Sequence, residues 1–257
     1  MATVISFGIQ KGGSAKTTTS GIVAHILSEE YGKRVLAVDL DSQGNLTELL
    51  SQQDIYDFYE MTVFEALKEQ DAKKYIHKVR NRLDILPAED HLARFPSWLY
   101  ESYRGNRSLV LKDTLKNVQE LYDYIIIDTP PALGDQTINA LAASDAVVAM
   151  FEASKFCYSA IGRFLETCVH VQDKVNPDLK ISGILRSLID ARRTDNKALI
   201  ELIEEEYGEL CFSTIMTRTA AIGRLSINGF TDNPELNQGL KLYRDFVKEL
   251  IKRVETR

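Results

Sequence analysis

The segment Gln10-Lys11-Gly12-Gly13-Ser14-Ala15-Lys16-Thr17-Thr18 constrains this chain more than any other. It follows Thr3 to Phe7, whose β-branched and aromatic content is that of a buried strand. It precedes Thr17 to Glu30, where Ile22, Val23, Ile26 and Leu27 fall on one helical face. A polar, glycine-bearing loop therefore joins a strand to a helix N-terminus. Unpaired backbone N–H groups and the positive end of the helix dipole favour a bound phosphate there. Gly12 and Gly13 let the main chain approach it closely. The strict phosphate-loop pattern needs glycine six residues and one residue before its lysine, whereas Gln10 and Ala15 stand at those places. Ala15 is thus expected to have a φ that a Cβ tolerates.

Two more stretches point to the same crevice. Val35 to Val38 reads as a buried strand running into Asp39-Leu40-Asp41-Ser42-Gln43-Gly44-Asn45. In a parallel α/β sheet, ligands bind beyond the carboxyl ends of the strands, and period-two alternation predicts that Asp39 and Asp41 face one side. Tyr122 to Ile127 is a second such strand, closed by Asp128 and followed by Thr129-Pro130-Pro131-Ala132-Leu133-Gly134. An acid there organises Mg²⁺ in phosphoryl-transfer sites. A proline turn alone would leave Asp128 without a reason.

These three stretches together resemble the ParA/MinD family of ATPases. The loop is similar to that family's deviant Walker A sequence, Lys-Gly-Gly-x-x-Lys-Thr-Thr, and the second stretch to its Asp-x-Asp-Pro-Gln-Gly-Asn, with Ser42 where proline is usual. The third resembles its Walker B region, including Asn139-Ala140-Leu141. The resemblance implies a P-loop NTPase fold that binds ATP and Mg²⁺. Residues Lys11, Gly12, Gly13, Ser14, Ala15, Lys16, Thr17 and Thr18 would hold ATP, with Lys16 on the β- and γ-phosphates. Thr17, Asp39 and Asp128 would serve Mg²⁺, and Asp41 would position the attacking water. Lys11 would reach the nucleotide of a partner subunit in a homodimer. Slow hydrolysis, non-specific double-stranded DNA binding and a centromere-binding, ParB-like adaptor are the further implications, with a cytoplasmic, nucleoid-associated protein as the result. The chain begins almost directly with its first strand, so the short family form without an N-terminal helix-turn-helix is expected.

Composition agrees with a nucleotide-binding globule. Of 257 residues, 44% are hydrophobic, enough for a large core. No apolar stretch approaches the roughly 18 residues of a membrane span, and no secretory leader is legible. The net charge of −6 excludes global attraction to nucleic acid or an anionic membrane, so such binding needs a local patch. Cys157, Cys168 and Cys211 lack paired spacing, which argues against disulfides, zinc and clusters. They read as buried small apolar residues. His25, His77, His91 and His170 are scattered and form no ligand set.

Elsewhere the pattern is coarser. Short elements are predicted at Thr62 to Leu67 and Leu83 to Leu86, and a covering helix over Ser108 to Leu121. Trp98, Tyr100 and Tyr103 read as packing residues. Strands at Ala146 to Phe151 and Ile181 to Ile189, with helices at Ser159 to Val175 and Ala198 to Tyr207, continue the alternation of a doubly wound, mostly parallel sheet. One domain over residues 1–257 is the simplest description. Leu188 to Arg192 and Thr214 to Arg218 resemble turns near which adenine packs in relatives, with Thr217 in place of the usual proline. Arg192, Arg193, Lys197, Arg218 and Arg224 are candidate DNA contacts; solvated arginines paired with acids such as Glu204 to Glu206 explain them equally. The last helix, Pro234 to Val254, is expected to close the fold rather than bind a membrane. A MinD-like membrane switch, or a small-molecule phosphotransferase or ligase, remains open on the same loop.

Overall fold

The computed structural model describes residues 1–189 and 194–255. Its strands are β1 (Thr3–Gly8), β2 (Val35–Asp39), β3 (His77–Arg80), β4 (Leu83–Leu86), β5 (Tyr124–Asp128), β6 (Ala146–Glu152), β7 (Lys180–Ile189) and β8 (Cys211–Thr217). Among the described residues they form one eight-stranded sheet in the order β3-β4-β2-β5-β1-β6-β7-β8. All neighbours are parallel except β3 against β4, an antiparallel pair at the edge. The order reverses about β1, so the loops leaving β1 and its neighbours diverge and open a crevice at their carboxyl ends.

Alternation along the central strands sorts their side chains into two cores. Ile5, Phe7, Val35, Ala37, Tyr124 and Ile126 face one cluster, while Val4, Leu36, Val38, Ile125 and Ile127 face the other. The helices are α1 (Lys16–Glu29), α2 (Asn45–Ser51), α3 (Val63–Glu69), α4 (Phe95–Glu101), α5 (Val110–Leu115), α6 (Asp135–Ala143), α7 (Lys155–Lys174), α8 (Thr194–Tyr207), α9 (Ala220–Gly223), α10 (Leu225–Asn228), α11 (Pro234–Gly239) and α12 (Lys241–Glu255). The first cluster takes in α1, α2, α7 and α12; the second takes in α3, α4 and α5. This is the doubly wound α/β architecture expected of the sequence.

Several elements differ from the sequence expectation. The helix predicted over 108–121 stops at Leu115, after which Val118 and Leu121 bond back three residues, to Leu115 and Val118. Those tighter turns bring the chain down to β5. The final helix is broken at Leu240, directly after Gly239, whose lack of a Cβ weakens the helix at the end of α11. Strand β3 and helices α2, α4 and α6 had no counterpart in the sequence expectation.

The last helix does close the fold. Tyr243, Phe246, Val247 and Leu250 of α12 are buried, and Phe246 meets Phe212 of β8 edge to face at 4.8 Å. Trp98 packs against Phe64, Phe95 and Tyr103, a core role. The three cysteines are free and buried, as expected. No helix among the described residues is long and apolar enough to cross a membrane.

Candidate nucleotide site

The crevice is a cavity of about 620 Å³. One side is the loop from Gly12 to Thr18 with Asp41 and Pro131; the other includes Thr217, Arg218, Ile222, Leu225 and Tyr243. The structure thus brings the phosphate loop and Asp41 to one cavity, with Asp39 and Asp128 buried behind them.

The loop is held from several directions. Ser14 Oγ donates to the Lys11 carbonyl at 3.2 Å, and Ser187 Oγ at the end of β7 donates to the Ser14 carbonyl at 3.0 Å. Gly13 has φ +74°, a conformation glycine adopts without cost. Ala15 has φ +63° and forms the N-cap of α1. This corrects the expectation of a φ that a Cβ tolerates: the alanine sits in the left-handed region, at a cost of about 1–2 kcal/mol.

The two lysines of the loop do different things. Lys16 is buried, and its Nζ donates to the Lys11 carbonyl at 3.0 Å. Burial pushes its ammonium below the usual lysine range, against the pull of Asp128 and Asp41. Lys11 stands on the rim, its ammonium paired with the Glu152 carboxylate at the end of β6.

Asp39 and Asp128 occupy the same register row on β2 and β5 and follow Ala37 and Ile126 onto the α1 face. Thr17 Oγ1 donates to Asp128 Oδ2 at 2.6 Å, and Ser20 Oγ to Oδ1 at 3.3 Å. Asp39 accepts from the Thr47 amide and hydroxyl, both at 2.9 Å, and from the Asp41 amide at 3.1 Å. Both carboxyls are fully buried. Burial raises Asp39 to about 6, and burial together with neighbouring Asp39 raises Asp128 to about 8. Two adjacent buried carboxyls beside a threonine hydroxyl are hard oxygen donors, and they fit a small divalent cation.

Asp41 departs from its predicted geometry. Strand β2 ends at Asp39, so alternation no longer governs Asp41; it lies in a turn, with Gln43 N donating to its Oδ1 at 3.1 Å. Asp39 faces inward and anchors that turn, whereas Asp41 faces the cavity. Gly44 makes the turn possible with φ +61°, since a Cβ there would lie 2.3 Å from Ile55 Cγ2.

The candidate DNA contacts lie on different elements where they are described. Arg192 and Arg193 lie outside the described residues. Lys197 is exposed on α8, and Arg224 pairs with Glu235 near α11. Arg218 instead lines the cavity, with Nη2 at 3.3 Å from Glu152 Oε1.

Sequence reasoning missed Glu152 and the wall formed by α9 and α10. Glu152 had a readable signal, because an acid ending the buried run Ala146 to Phe151 follows the rule that singled out Asp39 and Asp128. The wall had none; its two four-residue helices are too short for a periodic pattern.

Comparison with known proteins agrees with this geometry. A family model described as an AAA domain matches residues 2–181. The sporulation initiation inhibitor protein Soj of Bacillus subtilis is 33% identical, covering 97% of this chain and 98% of its own length. A solved structure titled as cobyrinic acid a,c-diamide synthase from Mycobacterium smegmatis, with bound ADP and magnesium, superposes with a TM-score of 0.85 at 32% identity, covering 100% of this chain and 96% of that one. A plasmid partition protein of Borrelia burgdorferi, bound to AMPPNP, superposes at 0.80 with 26% identity over 98% and 99% of the two chains. With the two-lysine phosphate loop, the paired buried acids and a similarity that runs the length of the molecule, this chain belongs to the ParA/MinD family of P-loop ATPases.

Proposed function

We propose that this protein is an ATP-driven DNA-partitioning ATPase, a switch whose ATP form is a face-to-face homodimer. The observation that carries the reading is the division of labour between the lysines. Lys16 is tied to its own phosphate loop, whereas Lys11 pairs outside that loop with Glu152 and in this reading would reach a second subunit's triphosphate. Similarity to the chromosome partitioning protein ParA of Myxococcus xanthus and to the Borrelia burgdorferi plasmid partition protein supports the choice of cargo.

In this reading the loop amides of Gly12 to Thr18 and the Lys16 ammonium hold the triphosphate. Thr17 and Asp128 would hold Mg²⁺, with Asp39 behind them; the ion, when bound, neutralises phosphate charge. Asp41 accepts a hydrogen bond from the attacking water and orients it. Asp39 keeps Asp41 in place through its amide and Thr47. Turnover alone is slow, and a centromere-binding partner accelerates it and releases DNA. The protein then works in the cytoplasm, associated with the nucleoid in its ATP form.

The test is binding to an arbitrary DNA duplex with no nucleotide, ADP, ATP or AMPPNP, at two salt concentrations. Salt-sensitive binding confined to ATP and AMPPNP is expected. Absence of binding in every state would overturn the DNA role. A second reading, an amide-forming ligase, is favoured by similarity to the Mycobacterium smegmatis structure named cobyrinic acid a,c-diamide synthase. It requires ATP consumption that depends on a carboxylic acid and an amide donor and not on DNA or an adaptor.

A further inference from the structure

Glu152 is the last residue of β6, and β6 lies beside β1, so its carboxylate stands next to the loop that β1 feeds. The backbone around it is fixed. Its amide donates to Cys157 Sγ at 3.3 Å, its carbonyl accepts from the Ser154 amide at 2.7 Å, and Ser154 caps α7. These bonds anchor the strand end that carries the carboxylate. Its two oxygens serve two cations from different segments: Oε2 takes the Lys11 ammonium, from the loop after β1, and Oε1 the Arg218 guanidinium, from the chain after β8. The Lys11 and Glu152 side chains are only 23% and 18% exposed, so water screens their pairing less than it does an open surface pair.

We propose that Glu152 is a positioning residue that holds Lys11 within its own subunit and so sets a threshold for dimerisation. This rests on the cross-subunit role of Lys11 proposed above. A lysine paired with a carboxylate in cis must give up that pair before it can reach another subunit's phosphates. One carboxylate charge is outweighed only when the second subunit carries a triphosphate, so the exchange favours the doubly ATP-loaded pair over empty or half-loaded ones. Arg218 stays on Glu152 as Lys11 leaves, which prevents the strand end from being left as an unpaired acid. The threshold is symmetric, because each subunit of a two-fold dimer gives up one such pair.

The experiment uses sedimentation velocity on the full chain with Mg²⁺ and AMPPNP, comparing wild type, Glu152→Gln, Glu152→Asp, Lys11→Ala and the Lys11→Ala/Glu152→Gln double variant. Releasing two partly buried pairs per dimer should tighten dimerisation by about tenfold in Glu152→Gln. Glu152→Asp, one methylene shorter, should lie between Glu152→Gln and wild type, and serves if the glutamine variant is recovered poorly. The gain should vanish in the Lys11→Ala background, a dependence that a merely structural role for Glu152 would not produce. If Lys11→Ala weakens the dimer but Glu152→Gln leaves it unchanged or weaker, the threshold is overturned and the cross-subunit lysine stands. If Lys11→Ala dimerises as wild type does, the cross-subunit reading fails and takes this inference with it.

Discussion

The two walls of the cavity are built in opposite ways. The phosphate wall is a loop between a central strand and a helix, cross-tied by Ser14, Lys16 and Ser187 and backed by carboxylates on adjacent strands. The facing wall is two four-residue helices after β8, tied to the protein by Ile222 and Leu225 in the core and by ion pairs of Arg218 and Arg224. The first wall depends on backbone groups and buried polar contacts that tolerate little change. The second depends on packing, where many side chains would serve. Chemistry should therefore fail when the first wall is altered and affinity should drift when the second is.

Lys16→Ala is the severest test. It removes the one buried ammonium on the phosphate wall and should lower ATP affinity by roughly a thousandfold, read by calorimetry. Retained tight binding would show that loop amides alone hold the triphosphate. Asp41→Ala should separate binding from turnover: ATP still binds and dimers still form, while hydrolysis falls by about a hundredfold or more. Normal hydrolysis would remove Asp41 from water positioning and leave it a turn residue.

The facing wall is probed by Arg218→Glu against Lys197→Glu. The first places an acid against Glu152 at the cavity edge and should weaken nucleotide binding by about tenfold, with any loss of DNA binding following from lost ATP. The second changes only an exposed position on α8. It should leave ATP affinity intact and lower the salt dependence of DNA binding if α8 contacts phosphates. The reverse pattern would return Arg218 to a DNA surface.

What the sequence disclosed follows the same division. Lys16, Asp39 and Asp128 were legible because a strand end and a helix start are local patterns, and the site lies where those patterns meet. The sheet was legible for the same reason, since Ile125-Ile126-Ile127 and Val35 to Val38 are runs buried on both faces. Asp41 was legible as a residue of the crevice but not in its geometry, because the strand stops two residues earlier. Arg218 was read as a surface cation because nothing in its neighbourhood reveals Glu152, which lies 66 residues away in sequence. Side chains that meet only through the fold leave no local trace.

Titration offers a gentler probe of the phosphate wall. In the folded protein Asp128 is raised to about 8 and Asp39 to about 6, whereas an unfolded chain loses those protons near pH 4. The folded form without nucleotide thus holds more protons, and the stability it gains from them is complete below about pH 4 and lost as pH climbs through 6 and 8. Melting temperature without nucleotide should fall over that range. Asp128→Asn should flatten the decline, and an unaltered slope would show that other groups govern it.

The smallest effect is also the most local. Ala15 is strained at φ +63° where glycine would be at ease, and its Cβ contributes no cap hydrogen bond to α1. Ala15→Gly should remove the left-handed penalty, and part of that gain is cancelled by the greater freedom of glycine in the unfolded chain. A net gain of about 0.5–1 kcal/mol is expected, seen as a rise of a few degrees in melting temperature. Because the strain sits in the loop that must wrap phosphate, nucleotide affinity is the sharper readout. If the strain holds the loop open, glycine tightens ATP binding along with stability. If the loop is already shaped for phosphate, stability rises while affinity stays constant, and the alanine is then a tolerated residue rather than a functional one.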